Sequence, residues 1–169
     1  MDAYETESSI AEGQDELERL FEHIRKNANR MEAHEVEEVI FKRLMPIGLS
    51  AMKVFFAERG TGDVGREIRR EDGVILEREW GLRPRTYASI FGCVAVPRTC
   101  YRSAGESGIF PLDEQANLPE RRYSYYLQEW MNGLSLDHPF EEGAKRLQHF
   151  FGISPVESVM VSVSREGIR

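Results

Sequence analysis

The C-terminal stretch carries the side chains whose types and spacing best suit contacts with DNA. Apolar residues in 139–151 recur at helical spacing, and Ser154-Pro155-Val156-Glu157 is a capping box that begins a second helix. Two short helices joined by a turn of about three residues are typical of a helix-turn-helix, whose second helix reads base edges in the major groove. The candidate DNA-binding residues are Arg121, Arg122, Lys145, Arg146, Ser158, Ser162 and Arg165.

These side chains divide into two roles. The hydroxyl groups of Ser158 and Ser162 can donate or accept hydrogen bonds at several bases, and Arg165 can contact guanine or phosphate. The earlier arginines and the lysine would contact the phosphate backbone. The same pattern also fits a purely structural helical hairpin, and Glu157 and Glu166 place negative charge near the proposed DNA-binding face.

Chemistry of other kinds has weaker support. Cys93, Cys100, His138 and His149 could be imagined as zinc ligands, but their spacing fits neither paired-cysteine nor Cys2His2 sites. Two reduced, partly buried thiols are the expected state of the cysteines. The sequence has no Gly-rich phosphate loop, nucleophile elbow or paired-histidine motif. We therefore expect no cofactor, no metal site and no catalytic residue.

Composition describes an ordinary globular chain whose charge is unevenly distributed. Of its 169 residues 41% are hydrophobic and 30% charged, with a net charge of -7. The net negative charge argues against autonomous, non-specific DNA binding. The acidic residues, however, are concentrated near the N-terminus, while the middle of the chain is rich in arginine. No apolar run approaches the roughly 20 residues that span a bilayer, and no signal pattern is present, so we expect a cytoplasmic protein without membrane contact.

The elements that must position these residues fall into four segments. Residues 1–13 are expected to be a disordered tail, and 14–60 to form two helices, the second kinked or briefly broken at Pro46. Residues 61–119 should form a β region. A strand from Val74 to Trp80 would join a hairpin centred on Phe91-Gly92, and the hairpin's second arm would extend to Tyr101.

The fourth segment, 120–169, is expected to be helical. A stripe of large apolar side chains should be its buried face, and Asn132-Gly133 should end the first helix. The stripe consists of Tyr123, Tyr126, Leu127, Trp130, Met131 and Leu134. The predicted fold is α+β: N-terminal helices, a small antiparallel β-sheet of about three strands, and a C-terminal three-helix bundle containing the helix-turn-helix-like pair.

Several short motifs between about Gly73 and Gly167 resemble a known family. They are S-I-F-G-C-V-A-V-P-R-T-C-Y-R-S, then P-L-D, N-L-P and S-Y-Y-L-Q-E-W, in that order. This region resembles the part of bacterial insertion-sequence DDE transposases, of the Kra group, that precedes the catalytic domain. The resemblance implies a DNA-engaging segment. In that family a separate RNase H-like domain holds two metal ions on three carboxylates, and no residue of this sequence matches that catalytic motif.

These observations predict a truncated N-terminal region of a transposase that binds element-end DNA and is not itself an enzyme. An alternative of another class is a protein–protein interaction module, in which the acidic helices of 14–60 pair with a second copy or with a full-length transposase. A third, an enzyme of unrecognised chemistry, has no motif in its favour.

Overall fold

A computed structural model describes residues 3–137 together with 142, 145, 148 and 149. The chain begins with two long helices, α1 (Ala3–Asn27) and α2 (Ala33–Arg59). Their short connection makes them antiparallel neighbours, and Gly13 of α1 packs closely on Ser50 of α2. The expected disordered tail is wrong for residues 3–13, which lie in α1. Contacts with α2 supply the stability that the polar sequence lacks by itself.

Two ion pairs connect the helices. Lys53 Nζ lies 2.9 Å from Glu12, and Arg43 Nη1 lies 2.6 Å from Glu16. Helix α2 also runs without interruption through Pro46, so the expected break is absent. Pro46 is exposed, and the carbonyl group that loses its helical partner can be solvated there while packing on both sides of the proline holds the helix together.

The β region consists of two sheets. Strands β1 (Glu67–Arg69), β2 (Ile75–Leu82) and β5 (Thr99–Arg102) form an antiparallel sheet of order β1-β2-β5. Strands β3 (Arg85–Ser89) and β4 (Gly92–Val96) form a separate hairpin. The small three-stranded antiparallel sheet and the hairpin position are confirmed.

The expected strand pairing is wrong. Thr99 and Tyr101 do not extend the hairpin but lie in β5 and pair with β2. Pro97 explains the change of sheet, because it has no backbone N–H to continue the ladder that β4 forms with β3. The chain therefore leaves the hairpin after Val96 and enters the other sheet.

A hydrophobic core lies between α2 and the hairpin. Its buried members are Phe56, Val94, Val96 and Leu112, and Leu49, Met52 and Tyr87 pack against them. Leu112 belongs to a short helix, α3 (Pro111–Gln115). The edge of the Phe56 ring meets Tyr87 with the ring centroids 5.1 Å apart. This core fixes the hairpin and α3, which carry Arg85 and Asp113, the residues that hold the loop of the candidate site.

The last described helix, α4 (Tyr125–Asp137), continues past the expected end at Asn132-Gly133. A glycine ends a helix by adopting positive φ, and Gly133 does not do so. The predicted C-terminal three-helix bundle and the helix-turn-helix-like pair lie largely outside the described residues. Among the helices that are described, none has the length and apolar character needed to cross a membrane.

Candidate nucleic-acid interface

The predicted DNA-binding residues separate into a described and an undescribed group. Arg121 and Arg122 lie with exposed side chains on the loop between α3 and α4. Lys145 is helical and exposed. Arg146, Ser158, Ser162 and Arg165 lie outside the described residues, as does the predicted recognition helix. The described part of the candidate site therefore centres on the loop of residues 116–124, called here the α3–α4 loop.

The guanidinium group of Arg85 holds this loop by its backbone. Arg85 Nη2 donates hydrogen bonds to the carbonyl oxygens of Pro119 at 2.7 Å and Arg121 at 2.8 Å, with a longer one to Glu120 at 3.3 Å. The Arg85 side chain is only 15% exposed. Because a rigid guanidinium group bridges successive carbonyl groups, the loop has a defined path.

Asp113 on α3 orients the arginines beneath the loop. Its Oδ2 atom accepts a hydrogen bond from Arg98 Nη1 and lies 3.4 Å from Arg85 Nη1. The Arg98 guanidinium group also lies 3.9 Å from the centroid of the Phe110 ring. The single carboxylate of Asp113 is thereby paired with two largely buried cations. A cleft of about 560 Å³ opens beside this cluster and is bordered by Arg122.

The outer edge of β3 holds the end of the loop. Ala88 N–H donates to the carbonyl oxygen of Arg122 at 2.7 Å, and Ser124 N–H donates to the carbonyl oxygen of Ala88 at 2.8 Å. These bonds form a short parallel bridge between Ala88 and Tyr123. The Ser124 hydroxyl group then accepts a hydrogen bond from Leu127 N–H at 3.0 Å and caps α4. The backbone on both sides of Arg122 is thereby fixed.

The expected apolar stripe of α4 divides into two faces. Tyr123, Leu127 and Met131 are buried, as expected. Tyr126 and Trp130, which were expected in the core, are 55% and 41% exposed, and their rings meet edge to face at 6.4 Å. Tyr125 is also 55% exposed. A helix thirteen residues long that packs on one side cannot bury so wide a stripe.

Arginines and aromatic rings are thus exposed together. We call Arg121, Arg122, Tyr125, Tyr126 and Trp130 the basic-aromatic surface. The Arg122 guanidinium group lies 4.7 Å from the centroid of the Tyr123 ring, and within the described residues it forms no ion pair with a carboxylate. Arginine can contact phosphate while aromatic rings stack on bases, so this surface has the side chains that a single-stranded or unpaired nucleic acid requires.

A further exposed aromatic residue, Trp80, was not among the candidates predicted from the sequence. Trp80 is fully exposed on β2, where the pairing register shifts between Arg78 and Leu82. Its neighbour Gly81 has a φ of 81°, which is a local signal of an irregular strand. The arginines nearby are paired, since Arg78 contacts Asp63 and Arg83 Nη2 lies 2.8 Å from Glu79. This neutralised region is less suited to a polyanion than the basic-aromatic surface.

The cysteines do not lie together in one strand. Cys93 is exposed on β4, while Cys100 is buried on β5 in the other sheet. Burial raises the pKa of the Cys100 thiol, and the neighbouring Glu79 carboxylate adds to this shift. Within the described part of the chain, His, Cys, Asp and Glu side chains form no cluster of three or more that could hold a metal ion.

The resemblance to the transposase family rests on short sequence motifs and stays a prediction. The structure describes residues 89–103, which carry the longest motif, as the turn of the hairpin, β4 and β5. The S-Y-Y-L-Q-E-W motif begins at the α4 cap, Ser124. Comparisons with protein-family models, with curated proteins and with solved structures give no match.

Proposed function

We propose that this chain binds DNA through the basic-aromatic surface, as the non-catalytic N-terminal region of a transposase. The observation that carries the proposal is the clustering of two exposed arginines and two exposed tyrosines within residues 121–126. A cluster of exposed aromatic rings marks an interaction surface, and adjacent cations favour a polyanion as its partner.

The charge distribution is compatible with this role despite the net charge of -7. The acidic residues are concentrated on α1, which packs on α2. The loop itself contains one acidic residue, Glu120, against two arginines. At physiological salt, charges separated by more than about 8 Å are largely screened, so the local balance governs phosphate contact.

The proposal also includes C-terminal residues whose roles are predicted from the sequence alone. Lys145 and Arg146 would contact the phosphate backbone, while Ser158, Ser162 and Arg165 would reach bases in a major groove. Cleavage and strand transfer would belong to a catalytic domain that this sequence does not match. The proposed role is therefore recognition or positioning of element-end DNA.

Stacking requires bases that are not already stacked, and this requirement gives a test. A duplex with a single-stranded overhang should bind more tightly than its blunt counterpart, as measured by fluorescence anisotropy. The Tyr125→Ala/Tyr126→Ala variant should lose about 10-fold affinity for the overhang duplex. Trp80→Ala removes an aromatic ring that is even more exposed but lies elsewhere, and it should leave the affinity unchanged. Equal loss in both variants, or no binding by the unmodified chain, would contradict the proposal.

A second function, self-association, is favoured by a different observation. The α1–α2 hairpin exposes several large apolar side chains, among them Ile10, Leu17, Phe21, Leu44 and Phe55. Exposed large apolar side chains in this number on a helical pair favour an interface. This function belongs to the helices and does not depend on the basic-aromatic surface.

A further inference from the structure

The exposed apolar side chains of α1 form one narrow stripe. Ile10, Leu17 and Phe21 follow offsets of 0, 7 and 11, and the polar Gln14, at offset 4, lies between them on the same face of the helix. Leu17 is 40% exposed and Phe21 58%. Along its inner side, the stripe borders an apolar groove of about 370 Å³ whose other wall is Ile47, Ala51 and Val54 of α2. The stripe and groove together offer a surface to another helix.

The charges of α1 indicate which helix would fit. Its first half, residues 3–16, contains Asp and Glu but neither Lys nor Arg, while its last turn carries Arg25 and Lys26. A second copy lying parallel would place acid against acid and base against base. An antiparallel copy would place the acidic half of each helix against the basic end of the other and would also oppose the helix dipoles favourably.

The stripe also defines a register for that arrangement. An antiparallel pair that sets Ile10 opposite Phe21 of the second copy also sets Gln14 opposite Leu17. Glu7 then falls within one residue of Arg25 of the second copy. Glu7 and Arg25 are 18 residues apart, which is about five helical turns, so they lie on the same flank of the stripe. In antiparallel helix pairs such flanks meet, and within the described residues both side chains are exposed and without an ion pair.

We propose that two copies of this chain associate through antiparallel α1 helices, with the Ile10–Phe21 stripe buried and two Glu7–Arg25 ion pairs formed between the copies. The proposal deepens the second candidate function by naming its surface, orientation and register. It does not require that the chain binds DNA. The resulting two-fold interface is self-complementary, since each copy contributes the same stripe and the same charge pair.

Sedimentation velocity of the full chain tests the association. The unmodified chain should dimerise with increasing concentration between about 1 and 100 μM. Phe21→Glu should be monomeric over this range, because it places a charge in the apolar contact, opposite Ile10 of the second copy. An unmodified chain that remains monomeric would overturn the proposal and leave the face to another segment or another protein. Circular dichroism checks that the variant retains its helices.

Charge exchange tests the orientation. Glu7→Arg and Arg25→Glu should each weaken dimerisation by about 10-fold, since each replaces two attractions by two repulsions. The Glu7→Arg/Arg25→Glu double variant should recover the original affinity. Failure of this recovery would contradict the antiparallel register. Arg122→Ala, on the basic-aromatic surface, should leave dimerisation unchanged, so that failure of the DNA-binding proposal and failure of this one can be told apart.

Discussion

The guanidinium group of Arg85 on β3 donates a hydrogen bond to the backbone carbonyl oxygen of Arg121, at 2.8 Å. One largely buried arginine thus fixes the backbone that carries a second, exposed arginine. Asp113 in turn orients Arg85 and Arg98, so the loop, the hairpin and α3 are joined by one polar cluster. The position of the basic-aromatic surface depends on this cluster.

Replacing Arg85 by lysine should destabilise the fold. Lysine keeps the charge, but its ammonium group cannot reproduce the planar fork that reaches several carbonyl groups. We expect a loss of about 2 kcal/mol in the free energy of unfolding, measured with urea. Arg83→Lys is the matched control, because Arg83 is 59% exposed and should cost less than about 0.5 kcal/mol. Equal losses in the two variants would contradict the role assigned to Arg85.

Gly48 in α2 should not tolerate a methyl group. Glycine to alanine normally stabilises a helix by about 1 kcal/mol. An added Cβ at Gly48 would lie 2.6 Å from both Cγ and Cε1 of Phe91, so the ring packed there would have to shift. We expect Gly48→Ala to lower the free energy of unfolding by about 1–3 kcal/mol.

A second glycine provides the control for this prediction. At Gly133 in α4 an added Cβ meets no described atom within 4 Å. Gly133→Ala should therefore stabilise the chain by up to about 1 kcal/mol. Thermal unfolding of both variants compares them directly. A stabilising effect at Gly48 would show that α2 and the hairpin are not packed as described.

Asp63 should make the stability of the fold depend on pH in the acid range. Gly65 N–H donates to its Oδ1 at 2.9 Å, and the hydroxyl group of buried Tyr101 lies 3.0 Å from the same atom. These hydrogen bonds, the backbone one foremost, hold the pKa of Asp63 below its ordinary value of 3.8. A carboxyl group with a lowered pKa stabilises the fold above pH 3.8, and this contribution is lost as the pH falls through the folded-state pKa.

Urea unfolding at several pH values between about 2 and 6 measures this contribution. The Asp63→Asn variant should lose less stability than the unmodified chain as the pH falls. Tyr101→Phe should reduce this loss of stability only in part, because the Gly65 N–H donor remains. The Tyr101 hydroxyl group has a second acceptor, the Gly65 carbonyl oxygen at 2.8 Å, and its single proton cannot serve both acceptors at once. An Asp63→Asn variant with unchanged acid sensitivity would contradict the assignment.

The parts of the fold that depend on local pattern were predictable. Alternation on either side of Phe91 predicted the hairpin, and helical spacing around Leu20 predicted a helix there. Sheet membership was not predictable from these patterns. Whether β5 extends the hairpin or pairs with β2 depends on where the chain turns after Pro97, which is a tertiary outcome.

For the candidate site, the sequence predicted which residues take part but not how they are held in place. Arg121 and Arg122 stood out as a basic pair, but nothing in their neighbourhood indicates that Arg85 holds their loop. The carbonyl groups that Arg85 contacts lie 34 to 36 residues away in sequence. Likewise, helical spacing placed Tyr123, Tyr126 and Trp130 on one stripe. Which of these aromatic residues is buried depends on where α4 begins and on how much of it the hairpin covers.

The salt dependence of DNA binding tests the central claim most directly. Anisotropy of a randomised duplex library with single-stranded overhangs, followed between about 50 and 200 mM salt, gives the slope of log affinity against log salt. We predict tight binding at low salt and a slope that is reduced by about two in Arg121→Ala/Arg122→Ala. The control Arg30→Ala/Arg69→Ala removes the same charge elsewhere and should keep the original slope. No binding at low salt, or the same slope in all three proteins, would contradict the account.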